Sequence, residues 1–235
     1  MPDALQLEQL LIRQGSFTLA ADLAVQSGSV TAIMGPSGGG KSTLLGAVAG
    51  FVPLERGRVF WYGDDITQSP PGQRPLSILF QDNNLFPHLT IAQNIGLGRS
   101  PRLKLGTPEW SEIDTILERL GLAGMGKRKP SELSGGQQSR AALGRVLMAR
   151  RPLVLLDEPF AALGPGLKQE MLDLAISSLS EAGQTLVMVT HDPDDARRVA
   201  GNVIVVAEGK AHAPLPTGQA LDGATGPLRG YLAQP

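Results

Sequence analysis

One octapeptide constrains this chain more than any other feature: Gly35-Pro36-Ser37-Gly38-Gly39-Gly40-Lys41-Ser42. Directly before it, Val30–Met34 is an apolar run of strand length, and Lys41–Ala49 directly after it reads as a helix. Glycines let a backbone wrap closely enough for successive N–H groups to point at one anion. A helix that starts at the end of such a loop adds its positive dipole end. The spacing G-x-x-x-x-G-K-S between a strand and a helix is that of a phosphate-binding loop. In it Lys41 reaches β- and γ-phosphates and the Ser42 hydroxyl ligates Mg²⁺. A chance glycine-rich turn would not need that strand and helix around it.

The rest of the chain supplies a sheet for this loop to sit on. Residues 5–12 and 17–25 read as half-buried strands, and 58–62 and 76–80 as further strands separated by the turn-rich stretch 64–74. From 82 to 151 the pattern turns helical, with Ile113, Ile116, Leu117 and Leu120 at helical spacing and another helix predicted over 135–150. The unbroken apolar run 153–156 predicts a buried parallel strand. Pro165–Glu181 follows as an amphipathic helix, Thr185–Val189 as a strand, 192–199 as a helix and 202–206 as a strand. Strands alternating with helices on both sides of a helical block predict a mostly parallel α/β sheet carrying an inserted helical subdomain. The stretch after Glu208 is rich in Pro and Gly and reads as weakly structured.

Two further motifs carry chemistry. The run at 153–156 leads into Asp157-Glu158, which puts two carboxylates at the carboxyl edge of the sheet, where ligands bind in such folds. Asp157 is placed to hold Mg²⁺ and Glu158 to act as general base toward an attacking water. An acidic pair after a strand is ordinarily a solvated loop start; a phosphate loop upstream changes that weighting. The second motif is Leu133-Ser134-Gly135-Gly136-Gln137, a serine and two glycines opening a helix. Taken alone it is a helix cap, although such a corner can also bind an anion.

At this pentapeptide the chain resembles the ABC ATPase family, whose signature lies, as here, between the phosphate loop and the acidic strand. The resemblance runs from about Leu5 to Val206. It implies an α/β P-loop NTPase with a RecA-like core, an antiparallel β portion and an α-helical subdomain inserted at about 82–151, all in one ATP-binding domain spanning 1–235. It also implies a homodimer that sandwiches two ATP molecules head to tail. Each ATP would touch Gly35 to Ser42 and Thr43 of one copy, and Ser134, Gly135, Gly136 and Gln137 of the other. By the same resemblance Gln81 contacts Mg²⁺ and the attacking water, and His191, in Val189-Thr190-His191-Asp192, contacts the γ-phosphate. In isolation Gln81 would be a surface residue ending a strand and His191 a structural histidine.

Two positions depart from the family pattern. Gly164 stands where the family's D-loop usually ends in aspartate. Glycine still serves as a helix N-cap, but it offers no carboxylate to an opposing nucleotide site. The aromatic that usually stacks on adenine has one candidate before the phosphate loop, Phe17, which reads equally as a strand core residue.

Composition bounds the partners. A net charge of -1 gives no basic field for nucleic acid, and the absence of cysteine excludes a disulfide scaffold and a Cys-based zinc site. The N-terminus lacks the basic and apolar regions of a signal peptide, and no apolar run approaches the ~20 residues of a spanning helix. Action at a membrane would therefore require docking on another chain. At finer grain, Pro70-Pro71-Gly72-Gln73-Arg74-Pro75, the segment from Leu79 through Asn83-Asn84-Leu85-Phe86 to Thr90, and Ala92-Gln93-Asn94-Ile95 resemble the ATP-binding subunits of bacterial thiamine importers. That resemblance implies a peripheral protein on the cytoplasmic face of the inner membrane. Its permease would dock on the run that begins at Asp82 and ends at Thr90, and a periplasmic substrate-binding protein would act indirectly. Importers of iron, sulfate, polyamine or molybdate are the nearest alternatives. A soluble ABC ATPase of DNA repair or translation would carry coiled coils, a zinc insert or two cassettes. A P-loop kinase would leave Ser134 to Gln137 without a purpose.

Overall fold

The structure is a computed structural model, and it describes residues 2–222. In chain order its elements are β1 (Asp3–Gln14), β2 (Phe17–Gln26), β3 (Val30–Met34), α1 (Lys41–Ala49), β4 (Arg56–Trp61), β5 (Asp64–Asp65), β6 (Leu76–Leu79), α2 (Ile91–Gly96), α3 (Thr107–Arg119) and α4 (Gly135–Ala149). Then come β7 (Leu153–Asp157), α5 (Pro165–Glu181), β8 (Thr185–Val189), α6 (Pro193–Val199), β9 (Asn202–Ala207), β10 (Lys210–Ala211), β11 (Leu215–Pro216) and α7 (Thr217–Asp222).

The strands join in the order β5-β4-β1-β2-β10-β9-β3-β8-β7-β6, with β11 paired to β9. From β9 to β6 all pairings are parallel, and from β5 to β2 all are antiparallel. The parallel strands are apolar on both faces because both faces are covered. Leu153 and Leu155 of β7 and Val187 and Val189 of β8 face one core, shared with α1 and the antiparallel strands. Val154, Leu156, Leu186 and Met188 point the other way, into a core shared with α2 to α5. Ile113, Ile116, Leu117 and Leu120 all lie in that second core, as their spacing predicts.

A buried arginine fixes the far end of α1. Arg74 is 4% exposed and donates to the carbonyls of Ala47 and Val48 in the last turn of the helix, and to those of Thr67 and Ser69. A cation on the orphan carbonyls at a helix C-terminus opposes the negative end of the dipole.

The stretch after Glu208 differs from its expectation as far as Asp222, because it forms β10, β11 and α7. Ala211 lies in the first core, Ala220 and Leu221 pack in a third core against β3 and β9, and the buried Thr217 hydroxyl donates to Ala200 O at 2.6 Å. Residues 223–235 lie outside the described residues.

Candidate active site

The loop between β3 and α1 leaves no room for side chains at two of its glycines. Gly35 has φ 153°, and a Cβ on it would lie 1.9 Å from the carbonyl oxygen of Val206 on β9. Gly40 has φ 102°, and a Cβ there would meet the Phe17 ring at 2.6 Å. Only glycine fits either position. The loop, the start of α1 and Phe17 line a cleft of about 420 Å³, together with Gln14 and Glu158. Lys41, Ser42 and Thr43 of that lining form the first turn of α1, whose N–H groups have no partner within their own helix.

Lys41 is 7% exposed and donates through Nζ to Gly35 O at 2.8 Å and Pro36 O at 3.0 Å. Burial lowers its pKa, against the opposing pull of Glu158 and Asp157. A desolvated ammonium beside two carboxylates gains strongly from phosphate oxygens.

β7 brings the acidic pair to the same place. Ser42 Oγ donates to Asp157 Oδ1 at 3.0 Å, joining the start of α1 to the end of β7. Burial raises the Asp157 pKa, with the Ser42 hydrogen bond opposing it. Such a carboxylate is stabilised by any cation that arrives. Two oxygen donors of this kind fit a hard divalent ion that takes its remaining ligands from phosphate and water.

Glu158 has left-handed backbone at φ 46° and Phe160 at φ 69°, both uncommon outside glycine. The Glu158 N–H is tied to Val189 O of the neighbouring strand at 3.1 Å. This turn leaves Glu158 lining the cleft and sets its Oε2 3.2 Å from His191 Nδ1. His191 lies just past the end of β8, whose parallel register with β7 sets Asp157 opposite Val189.

Two sequence-derived candidates lie apart from this cluster. Gln81 is exposed two residues beyond Leu79, the residue opposite Leu156. It shares the sheet edge with Glu158 but does not line the cleft. Ser134 and Gly135 are exposed at the start of α4, where Ser134 Oγ accepts from Gln137 N at 3.4 Å and Gln137 Oε1 accepts from Ser134 N at 3.0 Å. None of residues 134–137 lines the cleft.

Sequence reasoning passed over three supports. Gln14 at the end of β1 lines the cleft, and no local pattern marks it. Lys168 on α5, 14% exposed, pairs with Asp192 at 2.8 Å and Asp195 at 2.7 Å, while Thr190 Oγ1 donates to Asp195 at 2.9 Å. That knot holds the His191 turn onto α5, and its members are too far apart in sequence to announce themselves. Asn94 is fully buried in α2 and bonds the turn before it. A polar residue between Ile91 and Ile95 was its visible signal.

A phosphate loop at a parallel sheet edge, an acidic strand end beside it and a capped corner remote from both define a class. The profile of that class, described as ABC transporter, matches residues 20–161, and the chain belongs to the ABC transporter family. Its relatives are more particular. A "Thiamine import ATP-binding protein ThiQ" of Ruegeria sp. (strain TM1040) is 58% identical over 97% of this chain and 99% of its own length. A protein of the same name from Brucella suis biovar 1 (strain 1330) is 44% identical over 98% and 96%. Among solved structures, an ATP-binding cassette of an ABC transporter in its ADP conformation superposes with a TM-score of 0.88, covers all of both chains and is 26% identical. A dimeric cassette bound to ADP and Pi gives a TM-score of 0.76 at 27% identity over 91% of this chain and 98% of that one.

Proposed function

We propose that this chain is the ATP-hydrolysing subunit that energises thiamine import through a membrane permease. The observation that carries the hydrolytic reading is the convergence of Lys41, the Ser42–Asp157 pair and the Glu158–His191 pair on one sheet edge. The cargo reading rests on likeness, because a nucleotide cleft does not touch the transported molecule. The relatives named as thiamine import proteins span nearly the whole chain.

In this reading backbone N–H groups of the loop between Gly35 and Thr43, Pro36 excepted, and the Lys41 ammonium bind the β- and γ-phosphates of ATP. Ser42 and Asp157 would hold Mg²⁺, joined by Gln81 on closure, and the ion would supply positive charge to neutralise the phosphate oxygens. Glu158 takes a proton from a water whose oxygen bonds to the γ-phosphorus as the bond to the β–γ bridging oxygen breaks. ADP and inorganic phosphate leave. His191, next to Glu158, contacts the γ-phosphate. Such catalysis is positioning plus electrostatic stabilisation, and water-excluding closure strengthens both.

The second copy enters through glycine. Gly135 is exposed, and a Cβ on it would meet nothing within 4 Å, so this chain's own packing does not ask for glycine there. Ser134 to Gln137 lie outside their own cleft. Both facts support a corner that completes the nucleotide site of a partner copy. Phe86, 46% exposed, with the His88 ring 5.9 Å away, supports docking of a short permease helix on the turn from Asp82 to Thr90. Such docking places the chain peripherally on the cytoplasmic face.

The test is Glu158→Gln in the permease complex reconstituted in liposomes. Removing a general base lowers hydrolysis by about 100-fold or more, with ATP binding retained and thiamine uptake lost in parallel. Hydrolysis at the parental rate would refute the base. Parental uptake of iron, sulfate, polyamine or molybdate with none of thiamine would refute the cargo.

A further inference from the structure

The turn at residues 82–90 is held from two sides by side chains that lie outside the nucleotide cleft. On one side, Asn94 accepts from Phe86 N at 2.8 Å and donates to Phe86 O, Leu89 O and Thr90 O at 3.1, 3.3 and 3.0 Å. On the other side, Arg145 Nη1 donates to Asn84 O at 2.8 Å and Nη2 to Asn83 O at 3.0 Å. Asn83 and Asn84 both have left-handed backbone, at φ 55° and 50°. Asparagine tolerates that region better than most residues, but two in succession need outside support. The guanidinium supplies it by forking across two adjacent carbonyls, a shape that a lysine ammonium lacks.

Arg145 gives up hydration to do this. Burial lowers its pKa, and no carboxylate contributes to the shift. A desolvated cation satisfied only by carbonyls is costly to keep unless the contact matters. The backbone of the same residue packs closely on the chain after α2, since a Cβ on Gly98 would lie 2.2 Å from Arg145 O. Arg145 sits near the C-terminal end of α4, whose other end opens with Ser134. The helix spans about 16 Å between the two residues with no break.

We propose that Arg145 is a positioning residue that latches the turn 83–90 to α4, so that a permease helix pressing on the turn moves the Ser134 end of the helix with it. This rests on the docking assignment given above and adds the route by which docking reaches the opposite nucleotide site. The link is mechanical: two hydrogen bonds, one helix, and a corner that must meet a partner copy.

The test compares parental protein, Arg145→Met and Arg145→Lys, each as subunit alone and as the permease complex in liposomes. The complex is stimulated with thiamine-loaded binding protein. For Arg145→Met, hydrolysis by the subunit alone stays within about twofold of parental while stimulation in the assembled complex falls by about fivefold or more. Arg145→Lys, able to reach one carbonyl at a time, recovers part of the stimulation. Undiminished stimulation in Arg145→Met overturns the latch, and so does an equal loss in the subunit alone. Should Arg145→Met not fold, the double variant Asn83→Val with Asn84→Val keeps the arginine but disfavours the left-handed turn; it loses stimulation if the latch is real, and full stimulation overturns it. Phe86→Asp reads the docking site separately. A Phe86→Asp complex that assembles and responds like the parent refutes the docking assignment, and the latch with it. A defective Phe86→Asp complex beside a fully responsive Arg145→Met refutes the latch alone.

Discussion

The chain has two glycine-rich corners at helix starts, and they differ in what demands the glycine. At Gly35 and Gly40 the demand is internal, because a Cβ would strike Val206 O at 1.9 Å or the Phe17 ring at 2.6 Å. At Gly135 it is absent from the chain itself, since a Cβ would stand in open space. Its neighbour Gly136 is intermediate: a Cβ would press Leu167 Cδ2 at 2.7 Å, the end of a flexible side chain. A glycine that packing requires reports on the fold. A glycine that packing does not require leaves room for something that is not in the chain.

The largest effect follows from the first corner. Gly35→Ala forces a methyl group into a backbone carbonyl at φ 153°, and no rotamer relieves that contact. The expected cost is about 3 kcal/mol or more. That lowers the Tm by roughly 6–12 °C in a chain of this size. ATP binding is lost with it, because the loop must reshape. A thermal melt with nucleotide titration reads both, and a parental Tm with parental ATP affinity would dissolve the contrast between the corners.

At the second corner stability and activity are expected to part. Gly135→Ala meets no clash, and removing backbone freedom from the unfolded chain stabilises the subunit by about 0.4–1 kcal/mol. In the closed dimer the added methyl crowds whatever approaches Ser134 and Gln137, at about 1–3 kcal/mol. That corresponds to a roughly 5–150-fold fall in hydrolysis. Denaturant unfolding of the variant, paired with its ATPase rate, decides the matter. A stabilised variant that hydrolyses at the parental rate would show that nothing approaches this corner.

The same contrast explains what could be read before the structure. The phosphate loop and the strands around it were legible because their demands are local: glycine spacing, an apolar run, a carboxylate pair at a strand end. Thr185–Val189 and Pro165–Glu181 fall on the boundaries their periodicity predicts. β10 and β11 escaped because strands of two residues have no period to detect, and their order comes from pairing with β9. Arg145, Lys168 and Gln14 escaped because each acts on residues remote in sequence. Residues 134–137 stood between these cases. Their helix cap was legible, whereas a role beyond capping rested on family likeness, since only the open space around Gly135, visible in the structure and not in the sequence, hints at a partner.

Gly164 provides the finest test, with the smallest expected effect. Like Gly135 it is open, with nothing within 4 Å of where a Cβ would stand, and it caps its helix with φ -62° and no side-chain hydrogen bond. Any residue can adopt that backbone. If open space alone marked a contact surface, Gly164→Asp would impair hydrolysis as Gly135→Ala is expected to. The resemblance to the family instead implies a carboxylate at this position, which an aspartate would supply. Aspartate at the N-cap would accept from a first-turn N–H of α5, a gain of only a few tenths of a kcal/mol over glycine. In the assembled transporter the carboxylate is expected to raise hydrolysis or tighten its coupling to uptake, by about twofold to tenfold if it adds one cross-dimer hydrogen bond. Turnover and uptake per ATP, measured side by side for Gly164→Asp and Gly135→Ala, separate the two kinds of open glycine. Equal impairment in both would mean that each is kept empty for an approaching partner.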